Sequence, residues 1–211
     1  MGAARNFRTR RHANIIPASL RGRVGTATIV VMTASTEPAA RPWGRPAVVA
    51  ATLGGIGRIG FAPGTFGAAV GLVLALATAT AAGWMGRRFF AGTANAALAC
   101  EAGLVTAICL AGIPICSRAA ALLGRGKDPG TIVLDEAAAM AATLLVVPAN
   151  ARTPAVLTVA FLLFRVFDIL KPFPCDRCER LPTGLGIMAD DWAAAAYAAA
   201  ILTAIRAAGW L

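Results

Sequence analysis

Residues Phe66–Met85, FGAAVGLVLALATATAAGWM, carry no charge. Twenty residues at about 1.5 Å per residue reach about 30 Å, the thickness of a bilayer's hydrocarbon core. The stretch lies inside a longer uncharged run from Ile59 to Gly86. Ala and Leu dominate it, and both favour helix. Arg87-Arg88 close the run and favour the cytoplasmic side for that end, although Arg58 stands at the other. The first expectation is therefore a membrane-crossing helix.

The rest of the chain agrees. It is 58% hydrophobic over 211 residues, with mean hydropathy +0.69, whereas soluble domains are usually about 45–50% apolar. Residues 89–117 form a second apolar segment, interrupted by Glu101 and Pro114. A polar hinge follows, SRAAALLGRGKDPG, from Ser117 to Gly130. Shorter apolar segments occupy 137–151 and 153–164, and a last one 192–211. Two or three of these are long enough to span, and the others read as short buried or interfacial helices. No strand-like alternation and no fixed-period repeat occurs. The expected fold is all-α, a multi-helical membrane-associated bundle with Gly/Pro-rich connecting loops.

The formal charge is +10, and it is unevenly placed. Residues 1–46 contribute +7 and residues 47–211 only +3. The first 46 residues thus read as a basic, disordered arm suited to anionic headgroups, and 47–211 as the folded domain. Met32 is an alternative start for the chain. No apolar h-region follows the early arginines, so no signal peptide is expected. No nucleic-acid recognition motif accompanies the basic residues, so no nucleic-acid partner is expected. Cys175-Asp-Arg-Cys178 is a single CxxC, and the only histidine is His12. A zinc site needs about four ligands, so no zinc is expected. Nothing in the sequence specifies an oligomeric state.

Eight of the ten acids lie between 128 and 191. Several are wedged against apolar runs, where an unpaired carboxylate is costly and marks function. In KDPGTIVLDEAAAM, Asp128 and Pro129 read as a helix start, with Asp135 two turns on and Glu136 beside it. In FRVFDILKPFP, Arg165, Asp168 and Lys171 recur at i,i+3, giving one helix face of plus, minus, plus. That face reads either as a local ion-pair ladder or as an anion site, with Arg forking a phosphate. In GLGIMADDW, Gly184 and Gly186 read as a tight turn that leaves Asp190 and Asp191 to open the last helix. One aspartate caps a helix, so a second suggests a divalent cation, and an oxygen donor set suits Mg²⁺. Gly55-Ile-Gly57-Arg-Ile-Gly60 fits GxGxxG, but Pro63 and the distance to the next acid exclude a dinucleotide fold. GRIGFAPGTFG reads instead as a loop whose backbone N–H groups approach a phosphate, with Thr65 as a donor.

Taken in order, GGIGRIGFAPGTFGAA, DPGTIVLDEAAAM, FRVFDILKPFP and GLGIMADD resemble the phosphatidylglycerophosphatase A family over roughly residues 48–205. The resemblance implies a helical, membrane-associated, Mg²⁺-dependent lipid phosphatase whose substrate is an anionic phospholipid, phosphatidylglycerol phosphate. It places the family's phosphate-loop residues at Gly64 and Thr65, with Arg165 and Lys171 as further phosphate-binding residues. It implies metal ligands at Asp128, Asp135, Glu136, Asp190 and Asp191. Catalytic roles fall to Asp135, Glu136, Asp168, Lys171, Arg165 and Arg180. The family's Asp-Arg element between KPxP and the glycines corresponds to Glu179-Arg180, although Asp176-Arg177 stands three residues earlier. The site is expected on the cytoplasmic face of a bacterial inner membrane, where this substrate is made. Competing readings are a transporter or channel component, a nucleotide-dependent phosphotransferase and a non-catalytic scaffold. The acids sit at turns and helix ends rather than mid-span, no inverted repeat occurs, and no DGxxAR-type array is present.

Overall fold

The structure, a computed structural model, describes residues 45–90, 92–124, 129–178 and 180–211. The arm up to residue 44, with His12 and Met32, lies outside the described residues, and so do Asp128 and Glu179. Every regular element described is helical. In chain order these are α1 (Pro46–Ala51), a 3₁₀ turn (Leu53–Arg58), α2 (Pro63–Phe89), α3 (Ala94–Leu123) and α4 (Leu134–Thr143). Two further 3₁₀ turns precede α5 (Pro154–Leu170), α6 (Cys175–Cys178) and α7 (Thr183–Ala207). Helices α2, α3 and α7 are long and apolar enough to cross a bilayer. The all-α, membrane-associated expectation is met. With ten residues, α4 rises only about 15 Å, half a bilayer.

Local sequence explains the helix ends. Thr93 and Thr153 cap α3 and α5 by accepting from the N–H groups of Ala96 and Val156, and Pro154 takes a first-turn position that needs no N–H. Gly124 ends α3 with φ 61°, a left-handed conformation open to glycine without penalty.

The core is built from small residues. Gly67, Gly71, Ala68 and Ala75 of α2 are buried, as are Gly184, Gly186, Ala194, Ala195 and Ala198 of α7. A methyl group at Gly71 would meet the Ala137 carbonyl and the Met140 side chain at 2.6 Å. Only glycine lets α2 and α4 approach so closely.

Three sequence expectations are corrected. The second apolar segment does not break at Pro114. Instead α3 runs through it to Leu123 and takes in the first half of the expected hinge. A proline removes one N–H donor, and a thirty-residue helix packed on both α2 and α7 retains the rest. Second, α4 does not begin at Asp128-Pro129 but at Leu134. The intervening backbone is engaged elsewhere, because Val133 donates its N–H to the Ala51 carbonyl at 2.9 Å. Third, Gly184 and Gly186 lie inside α7 and form no turn. Gly184 presses on α3 and donates its N–H to Ser117 Oγ at 2.9 Å, while Ser117 Oγ donates to the Ile113 carbonyl at 2.8 Å. Asp190 and Asp191 consequently stand two turns inside the helix.

Deep in the bundle, Arg152 joins four segments. Its guanidinium donates to the carbonyls of Val147 (3.1 Å), Ala75 (2.9 Å) and Leu144 (2.9 Å), and it meets Glu101 Oε1 at 2.7 Å. Both side chains are almost wholly buried. Removing one partner of such a pair strands the other charge and costs about 3–5 kcal/mol, while replacing both with apolar groups costs far less. Arg152→Met is therefore expected to lower the midpoint of thermal unfolding in detergent strongly. Arg152→Met with Glu101→Leu should recover much of the loss. Equal midpoints for the single and double variants would contradict this.

Candidate active site

Four helix ends converge at one end of the bundle. The first turn of α4 presents Asp135 and Glu136, and α7 presents Asp191 from its third turn. One carboxylate oxygen from each of these three lies within 4.8 Å of the others. Asp135 and Asp191 are only 6% and 3% exposed. Asp135 Oδ1, Glu136 Oε2 and Asp191 Oδ2 are buried without a hydrogen-bond partner. Buried acceptors left unmatched are expensive. Clustered, hard oxygen atoms with free lone pairs form a donor set that fits a small divalent cation such as Mg²⁺.

Basic groups flank the acids. Arg165, on the last turns of α5, pairs with Asp168 one turn on. Asp168 in turn interacts with Asp191 and Glu136. The plus-minus-plus face holds for its first two members only. Lys171 is not on the helix, which ends at Leu170. It takes a left-handed conformation (φ 43°) and places Nζ 2.8 Å from Asp190 Oδ2. Adjacent aspartates therefore face different ways: Asp191 into the carboxylate cluster, Asp190 toward a lysine.

The loop before α2 closes the site. Gly64 lies directly against the ionic groups. A Cβ there would stand 2.5 Å from Glu136 Oε1 and 3.0 Å from Arg165 Nη1. Ala62, just before it, is left-handed (φ 44°), a strained state for a non-glycine residue and typical of functional loops. Thr65 is half-buried beside Gly64, and its N–H donates to the Ala62 carbonyl at 3.0 Å.

The remaining expected residues are dispersed or outside the structure. Arg180 is exposed and lies 3.7 Å from Asp176, itself half-exposed, on the surface. Asp128 lies outside the described residues. The sequence reading missed Gly67 and Gly71 as builders of the site. Their signal is present, because Gly64, Gly67 and Gly71 recur at helical spacing along one face.

Electrostatics reflects the crowding. Burial first, and the adjacent Glu136 second, push the Asp135 carboxyl well above its ordinary range. Burial likewise raises Glu136. Acids raised in the folded state bind more protons folded than unfolded, so stability falls as pH rises. With chelator present, thermal stability is expected to decline from about pH 4 upward, and a divalent cation that the cluster accepts should offset most of that decline. A pH-independent midpoint without metal would count against the cluster. A second expectation concerns Gly64. Gly64→Val should abolish activity, because the branched side chain enters the space of Glu136 and Arg165, while Gly60→Val, in open space, should retain most of it.

The family model described as Phosphatidylglycerophosphatase A matches residues 49–206. A Haemophilus influenzae protein named Phosphatidylglycerophosphatase A is 36% identical over 154 residues, covering 72% of this chain and 83% of that protein. An Escherichia coli protein of the same name is 36% identical over 96 residues, 45% of this chain and 54% of its own length. A Bacteroides thetaiotaomicron protein, provisionally named a phosphatidylinositol-3-phosphatase, is 32% identical over 165 residues, 77% of this chain and 96% of that one. No solved structure matches the chain. The carboxylate cluster, the helices that bring it together and the match across most of the bundle lead to one assignment: the chain is a phosphatase enzyme and belongs to the phosphatidylglycerophosphatase A family.

Proposed function

We propose that this phosphatase hydrolyses phosphatidylglycerol phosphate to phosphatidylglycerol and inorganic phosphate, with Mg²⁺ as cofactor, at the cytoplasmic surface of the inner membrane of a bacterium. The observation that carries the reading is the triad Asp135, Glu136 and Asp191, the two aspartates buried and the glutamate half-buried, with three unmatched oxygens, set beside Arg165 at the end of a membrane bundle. The names of the Haemophilus and Escherichia relatives support the substrate.

Asp135, Glu136 and Asp191 would hold the metal; Asp128, the further ligand expected from the sequence, lies outside the described residues. Bound there, Mg²⁺ supplies Lewis-acid polarisation of phosphate oxygens and lowers the pKa of a water. Arg165 neutralises the phosphoryl oxygens as charge shifts during transfer, and Asp168 positions its guanidinium. Lys171 adds a point charge. Asp190, expected from the sequence as a metal ligand, serves in this reading to orient Lys171. Gly64 and Thr65 let the loop backbone approach the phosphate. Arg180 attracts anionic headgroups from the surface. Water attacks phosphorus, the bond to the glycerol oxygen breaks, and that oxygen leaves with a proton.

The charge distribution supports this orientation. At the site end stand Arg45, Arg58, Arg118, Arg165, Lys171, Arg177 and Arg180, while Arg87, Arg88 and Arg206 belong to the ends of α2 and α7 remote from it. The excess at the site end outweighs the Arg87-Arg88 pair and favours a cytoplasmic site.

The test is phosphate release from phosphatidylglycerol phosphate in mixed micelles, with and without Mg²⁺. Release should require Mg²⁺, fall roughly 10²–10³-fold in Asp191→Asn and fall substantially in Arg165→Lys. Folded wild-type protein that leaves this lipid intact would overturn the substrate. If it released phosphate only from a phosphatidylinositol phosphate, the Bacteroides relative's name would become the better guide.

A further inference from the structure

A second groove lies apart from the carboxylates. Short α1 packs along the C-terminal half of α3 and leaves a cavity of about 650 Å³ lined by Arg45, Ala47, Ala50, Pro114, Arg118 and Leu122, among others. None of these residues belongs to the catalytic cluster. The walls are mostly apolar, and among the described residues no carboxylate lines them.

Two features say what the groove takes. The first is charge. Arg45 and Arg118 are both exposed, and both line the one cavity. Among the described residues, no acid lines the cavity beside them. Guanidinium groups fork phosphate oxygens bidentately. The second is depth. Arg118 follows Ser117, which is bonded to Gly184 at the start of α7. It thus stands level with the N-terminal end of a spanning helix, where lipid headgroups lie. From there the groove continues along α3 toward Pro114, four residues and about 6 Å nearer the bilayer centre. A phosphate at the rim and a hydrocarbon chain below is the chemistry of a phospholipid.

We propose that this groove binds one anionic phospholipid, its phosphate held between Arg45 and Arg118 and an acyl chain lying over Ala47, Ala50 and Pro114. The site is separate from the catalytic one and rests only on the membrane placement of α3. It does not depend on which lipid the enzyme hydrolyses. Small residues at 47 and 50 create the concavity, and each cation adds roughly 1 kcal/mol of attraction to an anionic surface.

The experiment uses the full chain, purified in mild detergent and titrated with short-chain phosphatidylglycerol or phosphatidylcholine. Lipid retained per protein is counted by native mass spectrometry. Wild type should keep one phosphatidylglycerol in preference to phosphatidylcholine. Arg45→Gln with Arg118→Gln should weaken that retention about tenfold or more. Arg87→Gln with Arg88→Gln removes equal charge at the other end of α2 and should leave it in place. Ala50→Phe fills the groove without altering charge and should also displace the lipid. Equal retention of the two lipids, equal loss in both double variants, or unchanged retention in Ala50→Phe would each overturn the proposal. Displacement by inorganic phosphate alone would reduce the site to a simple anion site and equally overturn it. Because the readout is bound lipid, it can be repeated in Asp191→Asn protein, where failure of the hydrolytic reading has no effect on it.

Discussion

α2 and α4 touch almost backbone to backbone, and the carboxylate-bearing end of the molecule is arranged around that contact. A Cβ at Gly67 would lie 2.9 Å from Val133, and one at Gly71 would lie 2.6 Å from the Ala137 carbonyl. Gly64 completes the stripe one turn earlier and meets ionic side chains instead of backbone. Because α2 carries nothing on this face, α4 can seat its first turn beside the loop at residues 59–62. Asp135 and Glu136 are then delivered to a buried place that neither would occupy on solvation grounds. The same economy holds on α7, where Gly184 lies against α3 and sets the height at which Asp191 enters.

Burial on this scale disfavours the charged forms of the three carboxylates, as the raised Asp135 and Glu136 carboxyls reflect. The protein answers with two cations of different character. Arg165 is held by Asp168 on its own helix, so its position is local and rigid. Lys171 reaches across to Asp190 from a backbone conformation that few lysines adopt. Adjacent positions on α7 thus divide the work: one aspartate joins the acid cluster and its neighbour secures a base. Helical geometry alone produces the division, since residues one apart differ by about 100° around the axis.

Much of the site was legible in the sequence, because its chemistry depends on residue types that apolar helices otherwise avoid. Asp135, Glu136, Asp168 and Asp191 stood out as acids in greasy surroundings, and the structure brings them together. What misled was punctuation. Pro114 and the glycines of GLG normally end or turn a chain, yet here Pro114 is tolerated inside a long packed helix and Gly184 marks an interhelical contact. Asp128-Pro129 has the form of a helix start, but the following residues are drawn into a bond with α1 that no local pattern announces. Arg180 matched a family position, but residue type alone could not reveal that its side chain lies at the surface beside Asp176.

The turn between α5 and α6 is pinned twice to a single face of α7. Lys171 Nζ meets Asp190, and Tyr197, two turns further along the same helix, donates its hydroxyl to the Phe173 carbonyl at 2.6 Å. Its ring also stacks on Phe167 at 5.2 Å between centroids. Two fixings to one helix hold this turn in both position and orientation. The opposite wall is different in kind: Gly60, Phe61 and Ala62 are exposed, and a glycine with open space around it begins the run. In the reading proposed above, any yielding to a bound headgroup would fall on this second wall rather than on the first.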